Sequence, residues 1–220
     1  LLAWPSILVA NLRNKFSNFK PFTSLSACLF VSILTFTNAS SQVAPTPAAE
    51  RLNGLSQKKL LMKDTLLNSV KFRNIGPSEM SGRVVDIEVN PNDPIEFYVA
   101  YATGGLWHTK NNGQSFTPVF DHEDVIGIGD IAVNWKNGEI WVGTGEANSS
   151  RSSYAGVGVY KSDDAGKTWK FMGLPESQHI SKIILNPDNK DVAWVAVIGH
   201  LYSPNKERGV YKTIDAGKTW

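Results

Sequence analysis

Two identical six-residue strings, Asp164-Ala165-Gly166-Lys167-Thr168-Trp169 and Asp215-Ala216-Gly217-Lys218-Thr219-Trp220, stand 51 residues apart in this 220-residue chain. Each follows Tyr-Lys and a hydroxyl residue, Tyr160-Lys161-Ser162 in one copy and Tyr211-Lys212-Thr213 in the other. A weaker copy lies 53 residues upstream of the first, as Thr109-Lys110-Asn111-Asn112-Gly113-Gln114-Ser115-Phe116. There Asn111 takes the Asp place and Phe116 the Trp place. Units recurring at about fifty residues mark a solenoid, a propeller or an array, because such units bury their faces by stacking on one another.

The residue types in the string suit a tight turn between strands. A carboxylate or amide at the turn start accepts backbone N–H groups, a glycine takes the positive-φ position, and a β-branched residue followed by a large ring opens the next strand. Asn111, Asp164 and Asp215 are therefore read as hairpin residues, with Gly113, Gly166 and Gly217 at the left-handed positions. Phe116, Trp169 and Trp220 supply rings to the packing between neighbouring sheets.

Between these turns the chain reads as short strands bounded by Gly, Pro, Asn and Asp. The first unit has strands near 83–89, 96–101, 106–109 and 115–120, and the second near 129–133, 139–143, 158–161 and 168–172. The third has strands near 181–185, 192–198 and 209–213, with Thr219 and Trp220 opening a fourth. Four short antiparallel strands per unit make the blade of a β-propeller, and propellers close with about four to eight blades. The expected fold is all-β: about three blades, the third incomplete, over 70–220, completed by further blades of the same chain.

The pattern Ser/Thr-x-Asp-x-Gly-x-Thr-Trp resembles the Asp box, or BNR repeat, of sialidase, xyloglucanase, sortilin-type and photosystem-assembly propellers. The runs Phe72-Arg73-Asn74-Ile75-Gly76-Pro77, Met80-Ser81-Gly82-Arg83, Trp141-Val142-Gly143-Thr144-Gly145-Glu146, His179-Ile180-Ser181-Lys182-Ile183 and Glu207-Arg208-Gly209-Val210-Tyr211-Lys212-Thr213 resemble large bacterial secreted proteins of glycosyl-hydrolase-like, sortilin-N-terminal-like type. The resemblance covers roughly 70–220 and implies the propeller fold; its members differ in activity.

Upstream, Arg13, Lys15 and Lys20 precede an apolar run from Leu25 to Phe36 and the small polar residues Thr37 to Ser41. That layout predicts a signal peptide ending near Ser41, with the stretch before Asn11 read as over-translated upstream sequence or a fragment end. About a dozen apolar residues are too few for a membrane span. The lipoprotein-like Leu25-Ser26-Ala27-Cys28 stands at the start of the apolar run rather than its end. Residues 42–69 read as a Pro/Ala-rich linker and a short amphipathic helix over 56–67, strapped to the propeller's outside. The only cysteine, Cys28, excludes an intrachain disulfide. A formal net charge of +2 with no Lys/Arg cluster gives nucleic acid no footprint.

Propeller topology sorts the loops onto two ends. The repeated turns and the connections between first and second strands share one end; the other carries the connections between second and third strands and between blades. The second set is longer and richer in functional side chains: Glu79, Ser81 and Arg83, then Asp121 to Asp124, then Glu146, Asn148, Arg151 and Tyr154, then His179, His200, Tyr202, Glu207 and Arg208. Glu146 and Arg83 stand out because adjacent glycines let a ligand approach the backbone. His108 lies within a strand and reads as a packed residue.

A glycosidase needs two carboxyl groups about 5–5.5 Å or about 6.5–9.5 Å apart, or a tyrosine nucleophile. Glu79, Asp124, Glu146, Tyr154 and Tyr202 are the available groups. The sialidase start Phe/Tyr-Arg-Ile-Pro is replaced here by Phe72-Arg73-Asn74-Ile75, and Thr103 precedes Gly104-Gly105 where xyloglucanase-like propellers carry a catalytic Asp. Scattered histidines and a lone cysteine predict no metal and no cofactor. The expected function is capture of an extracellular peptide or carbohydrate at the loop-rich end, with glycoside hydrolysis or an assembly role as alternatives.

Overall fold

In this computed structural model the described residues are 44–63, 66–70, 82–150 and 153–220. The expected signal segment, Glu79 and Arg151 lie outside them. Eleven strands follow a helix α1, Ala48–Lys63, and a 3-10 turn, Leu66–Ser69. Blade 1 is β1 (Val84–Val89), β2 (Phe97–Tyr101), β3 (Gly105–Thr109) and β4 (Thr117–Pro118). Blade 2 is β5 (Ile128–Asn134), β6 (Glu139–Thr144), β7 (Val159–Ser162) and β8 (Lys170–Phe171). Blade 3 is β9 (Ile180–Leu185), β10 (Ala193–Val197) and β11 (Gly209–Thr213). Each sheet is antiparallel with strands in sequence order, as expected of propeller blades.

The innermost strands stand side by side, β1 against β5 and β5 against β9. Blade 2 is thereby covered on both faces, which is why β6 is buried at all six positions while β1 and β11 keep exposed residues. One apolar cluster, with Leu106, Phe120, Ile131 and Val142, joins blades 1 and 2; another, with Trp141, Val159, Ile183 and Val195, joins blades 2 and 3.

The repeated turn forms as its residue types dictate. Asp164 Oδ1 accepts the Ser162 hydroxyl at 2.8 Å and the Thr168 N–H at 2.8 Å, and Oδ2 accepts the Thr168 hydroxyl at 2.7 Å. Ser162 in turn accepts the Gly166 N–H. Asp215 repeats this arrangement with Thr213, Gly217 and Thr219, and Asn111 approximates it with Thr109, Gly113 and Ser115. The rings then reach backwards: Trp169 Nε1 donates to the Val119 carbonyl of blade 1, and Trp220 Nε1 to the Met172 carbonyl of blade 2, each at 2.7 Å.

A second repeated device lies on the inner strands, whose inward edges pair with no strand among the described residues. Asp86 accepts the Ile131 N–H at 3.3 Å, and Asp130 accepts the Ile183 N–H at 2.7 Å. Each inner-strand aspartate thus caps the free edge of the next blade, satisfying donors that an open edge leaves exposed. The ladder shifts register beside each of these positions, between Val84 and Asp86 and between Ile128 and Asp130. Gly129 sits inside the second irregularity, and a Cβ there would overlap the Ile180 and Gly145 carbonyls.

The helix differs from expectation. It spans Ala48–Lys63 rather than 56–67, and its N-terminal half packs on the loop-rich connections rather than the outside of a blade. The Pro47 carbonyl accepts the Glu50 and Arg51 backbone N–H groups, and the Ala48 N–H donates to Glu176 at 2.7 Å. Arg51 donates to the Gly156 and Pro175 carbonyls, while Leu52 and Leu55 join the apolar cluster between blades 1 and 2. These tertiary bonds extend the helix through a Pro/Ala stretch that composition alone marks as a lead-in.

Candidate functional site at the loop-rich end

Strand register divides the side chains between the two ends as topology requires. Val84, Tyr101 and Gly105 lie across from one another at one end of blade 1, and Val89, Phe97 and Thr109 at the other. Arg83, Glu146 and His179 consequently share an end: Arg83 precedes β1, Glu146 follows β6, and His179 precedes β9.

Glu146 is the centre of this group. Its side chain is fully buried, and Arg83 donates to it through both Nε, at 2.6 Å, and Nη2. Asn148 Nδ2 adds a donor at 3.3 Å and the Ser153 hydroxyl another at 3.2 Å. The Glu146 backbone carbonyl faces His179 Nδ1 at 2.7 Å. A carboxylate met by a bidentate guanidinium and two further donors is held ionised, and the Arg83 hydrogen bonds keep its pKa below the ordinary value. Burial lowers the His179 pKa, so the imidazole is neutral and its Nδ1–H donates to that carbonyl.

The loop holding these groups is knitted to blade 3. Gly156 N–H donates to the Gln178 carbonyl at 2.6 Å, and the Tyr202 hydroxyl to the Ser150 carbonyl at 3.1 Å. His200 Nε2 lies 3.7 Å from Glu207, and its buried Nδ1 has no partner among the described residues. Arg208 is spent on its own loop, donating from Nε to the Ile198 carbonyl. Asp124 and Tyr154 belong elsewhere on this end: with Lys58, Glu123 and Ile126 they line a depression of about 450 Å³ beside α1. Asp124 there pairs with Lys59 at 2.7 Å.

Of the expected candidates, Arg83, Glu146 and His179 therefore converge, and Tyr202 is tied to the same loop through Ser150. The guanidinium that meets Glu146 comes from the start of another blade, as Arg83. Sequence reading missed the inner-strand charges Asp86, Glu88, Asp130 and Lys182. Lys182 lies 2.9 Å from Asp130 and 3.7 Å from Asp86. The signal was available: Asp86-Ile87, Asp130-Ile131 and Lys182-Ile183 occupy one position of the repeat, found only by aligning units on their inner strands. His108 is packed as expected, stacked on Tyr98 with centroids 4.1 Å apart and bonded to Glu96 at 3.0 Å. Among the described residues no group of His, Cys, Asp and Glu could hold a metal, and no helix is long and apolar enough to cross a membrane.

The inner-strand carboxyls carry a pH signature. Burial, reinforced by Asp86, pushes Glu88 up to about 7, and burial pushes Asp130 up to about 6 against the pull of Lys182. A carboxyl raised in the folded state binds its proton more tightly there than in the unfolded chain. Its ionisation thus costs stability as pH rises from the ordinary carboxylate range through about 7. Glu88→Gln is expected to raise the Tm by a few degrees at pH 8 and to change it little at pH 5. Thermal melts of both proteins across that range check it; an offset that does not depend on pH contradicts it.

Fold and site together define a β-propeller with a preorganised polar surface at its loop-rich end. No family model and no curated protein matches the sequence. Solved structures do. The chain is similar to an ancestral GH74 enzyme at 21% identity and a TM-score of 0.50, over 64% of this chain and 18% of that one. It is similar to the Niastella koreensis GH74 enzyme at 22% identity and a TM-score of 0.46, over 61% and 20%. It is also similar to YCF48 bound to D1 peptide at 16% identity and a TM-score of 0.43, over 64% and 40%. The chain spans well under half the length of each of these proteins, and the likeness is one of fold.

Proposed function

We propose that this chain belongs to a secreted Asp-box propeller protein whose loop-rich end captures an extracellular peptide or glycan, in the manner of a sortilin-like binding module. One observation carries the choice of binding over hydrolysis. Glu146, the carboxyl group at the heart of the end, is saturated by four donors and kept ionised, so it has neither a proton to give nor a free lone pair to take one. Its work is to hold Arg83, whose side chain is 44% exposed, at the entry to the inner strands. Rigid loops on a fixed scaffold are the usual seat of recognition.

Secretion and removal of residues 1–41 complete the reading; N-terminal sequencing of the exported protein should begin near Gln42. For the site, the exported protein is screened on immobilised peptide and glycan arrays, and the best binder is titrated against Arg83→Gln. The expected result is at least a tenfold weaker Kd with the loop still folded. An unchanged Kd removes Arg83 from the site, and release of reducing sugar from a bound glycan replaces binding with hydrolysis.

A further inference from the structure

The end opposite the loop-rich site holds a cavity that none of the preceding chemistry uses. It occupies about 370 Å³ between the first-to-second-strand turns of all three blades, where the adjacent strands β1, β5 and β9 end. Pro91 comes from blade 1, Asn134, Trp135 and Lys136 from blade 2, and Asn186 and Pro187 from blade 3. That volume is in the range of small-molecule sites.

The walls follow from the repeat. Each turn opens with an asparagine, Asn90, Asn134 or Asn186, whose Oδ1 accepts the N–H two residues on, at 3.0, 3.1 and 2.9 Å. Those acceptors are committed to the turns. Asn90 Nδ2 goes to Glu96, but the Nδ2 donors of Asn134 and Asn186 make no hydrogen bond among the described residues. Trp135 is fixed against Tyr98, with ring centroids 5.4 Å apart, and its buried Nε1 has no acceptor among the described residues. The indole therefore offers the cavity an apolar surface at little cost in side-chain entropy. Among the described residues no carboxylate lines the cavity, and Lys136 is the one charged residue in its wall.

We propose that this cavity is a second ligand site and that it takes a neutral sugar unit. Flat apolar surface from an indole and two prolines suits the C–H face of a pyranose, and amide donors suit its hydroxyl oxygens. A basic peptide finds no counter-charge here, and an acidic ligand finds a single exposed lysine. The site is separate from the loop-rich end, being at the opposite end of the strands.

The test uses the full exported protein with cellohexaose and maltohexaose, followed by saturation-transfer NMR and titration of Trp fluorescence. Trp135→Ala removes the stacking surface, but the ring also packs on the core. Asn134→Asp with Asn186→Asp is the second variant: it keeps each Oδ1 turn acceptor and replaces each amide donor with a charged carboxylate oxygen that cannot donate to a hydroxyl. The expected result is saturable binding of at least one oligosaccharide, weakened at least tenfold in the double variant and unchanged in Arg83→Gln. Absence of transfer to either sugar, equal binding by the double variant, or loss in Arg83→Gln alone overturns the assignment. Binding of an uncharged aromatic peptide in preference to both sugars replaces the sugar with a peptide.

Discussion

Trp141→Ala is expected to lower the unfolding free energy by about 3–5 kcal/mol, the cost of emptying a large aromatic from a closed core. Trp141 has no exposed surface and sits where blade 3 closes over blade 2. Trp220 meets it edge-on at 6.2 Å and 88°, and the Lys161 ammonium lies 5.3 Å from the ring centroid. Its Nε1 donates to Glu139 at 2.6 Å, so the alanine variant also leaves a buried carboxylate short of one donor. Glu139 keeps Lys161 at 3.1 Å, which limits that second loss. The backbone of the neighbouring repeated turn depends on the same contact: a Cβ at Gly217, with φ of +88°, would stand 2.9 Å from the indole. Urea unfolding followed by tryptophan fluorescence checks the prediction. A loss under about 1 kcal/mol would mean that blades 2 and 3 do not close as described.

The second large effect is expected at Glu146, and it separates structure from recognition. Glu146→Ala strips the acceptor from Arg83, Asn148 and Ser153 together and empties a fully buried site. A cost of about 1–3 kcal/mol follows from the buried donors left unmet, below the range for a broken fully buried pair, because Arg83 is exposed enough to rehydrate. Residues 145–150 and 153–158 lose their anchor, and the proposed ligand capture at the loop-rich end is expected to fall to background. Glu146→Gln keeps the shape and one acceptor but not the charge, and is expected to retain most of the stability and a reduced affinity. Hydrogen exchange of the loop, read beside affinity, distinguishes the two. Alanine and glutamine variants that lose affinity equally with protected loops would make Glu146 a ligand contact instead of a positioning residue.

Much of the fold was legible in the sequence because the fold is a repetition. The fifty-residue period, the Asp-x-Gly turns and the Gly/Asn-bounded strands are local signals, and the strands near 84–89, 128–134 and 180–185 emerge within a residue or two of expectation. The sorting of loops onto two ends follows from strand order alone, so the gathering of Arg83, Glu146 and His179 at one end was foreseeable. What local signals could not supply was partnership. The Arg83–Glu146 bond joins residues 63 apart in different blades, and no spacing rule marks it. Asp86, Asp130 and Lys182 read as ordinary polar positions of half-buried strands until neighbouring inner edges are laid together. The helix was placed too late and on the wrong surface, since Arg51 and Ala48 draw their bonds from Gly156, Pro175 and Glu176, more than a hundred residues away.

By itself, then, the sequence determined the unit: four short strands, a carboxylate-capped turn, and an aromatic ring pointed at the neighbour, all of it held by contacts within about fifty residues. Only the tertiary structure decided what the units build between them. Those are the inner-edge aspartate bonds, the buried Glu146 with its guanidinium, and the cavity shared by three turns. The physical reason is that each of these satisfies a donor, an acceptor or an apolar surface that one blade leaves open and only the next can meet.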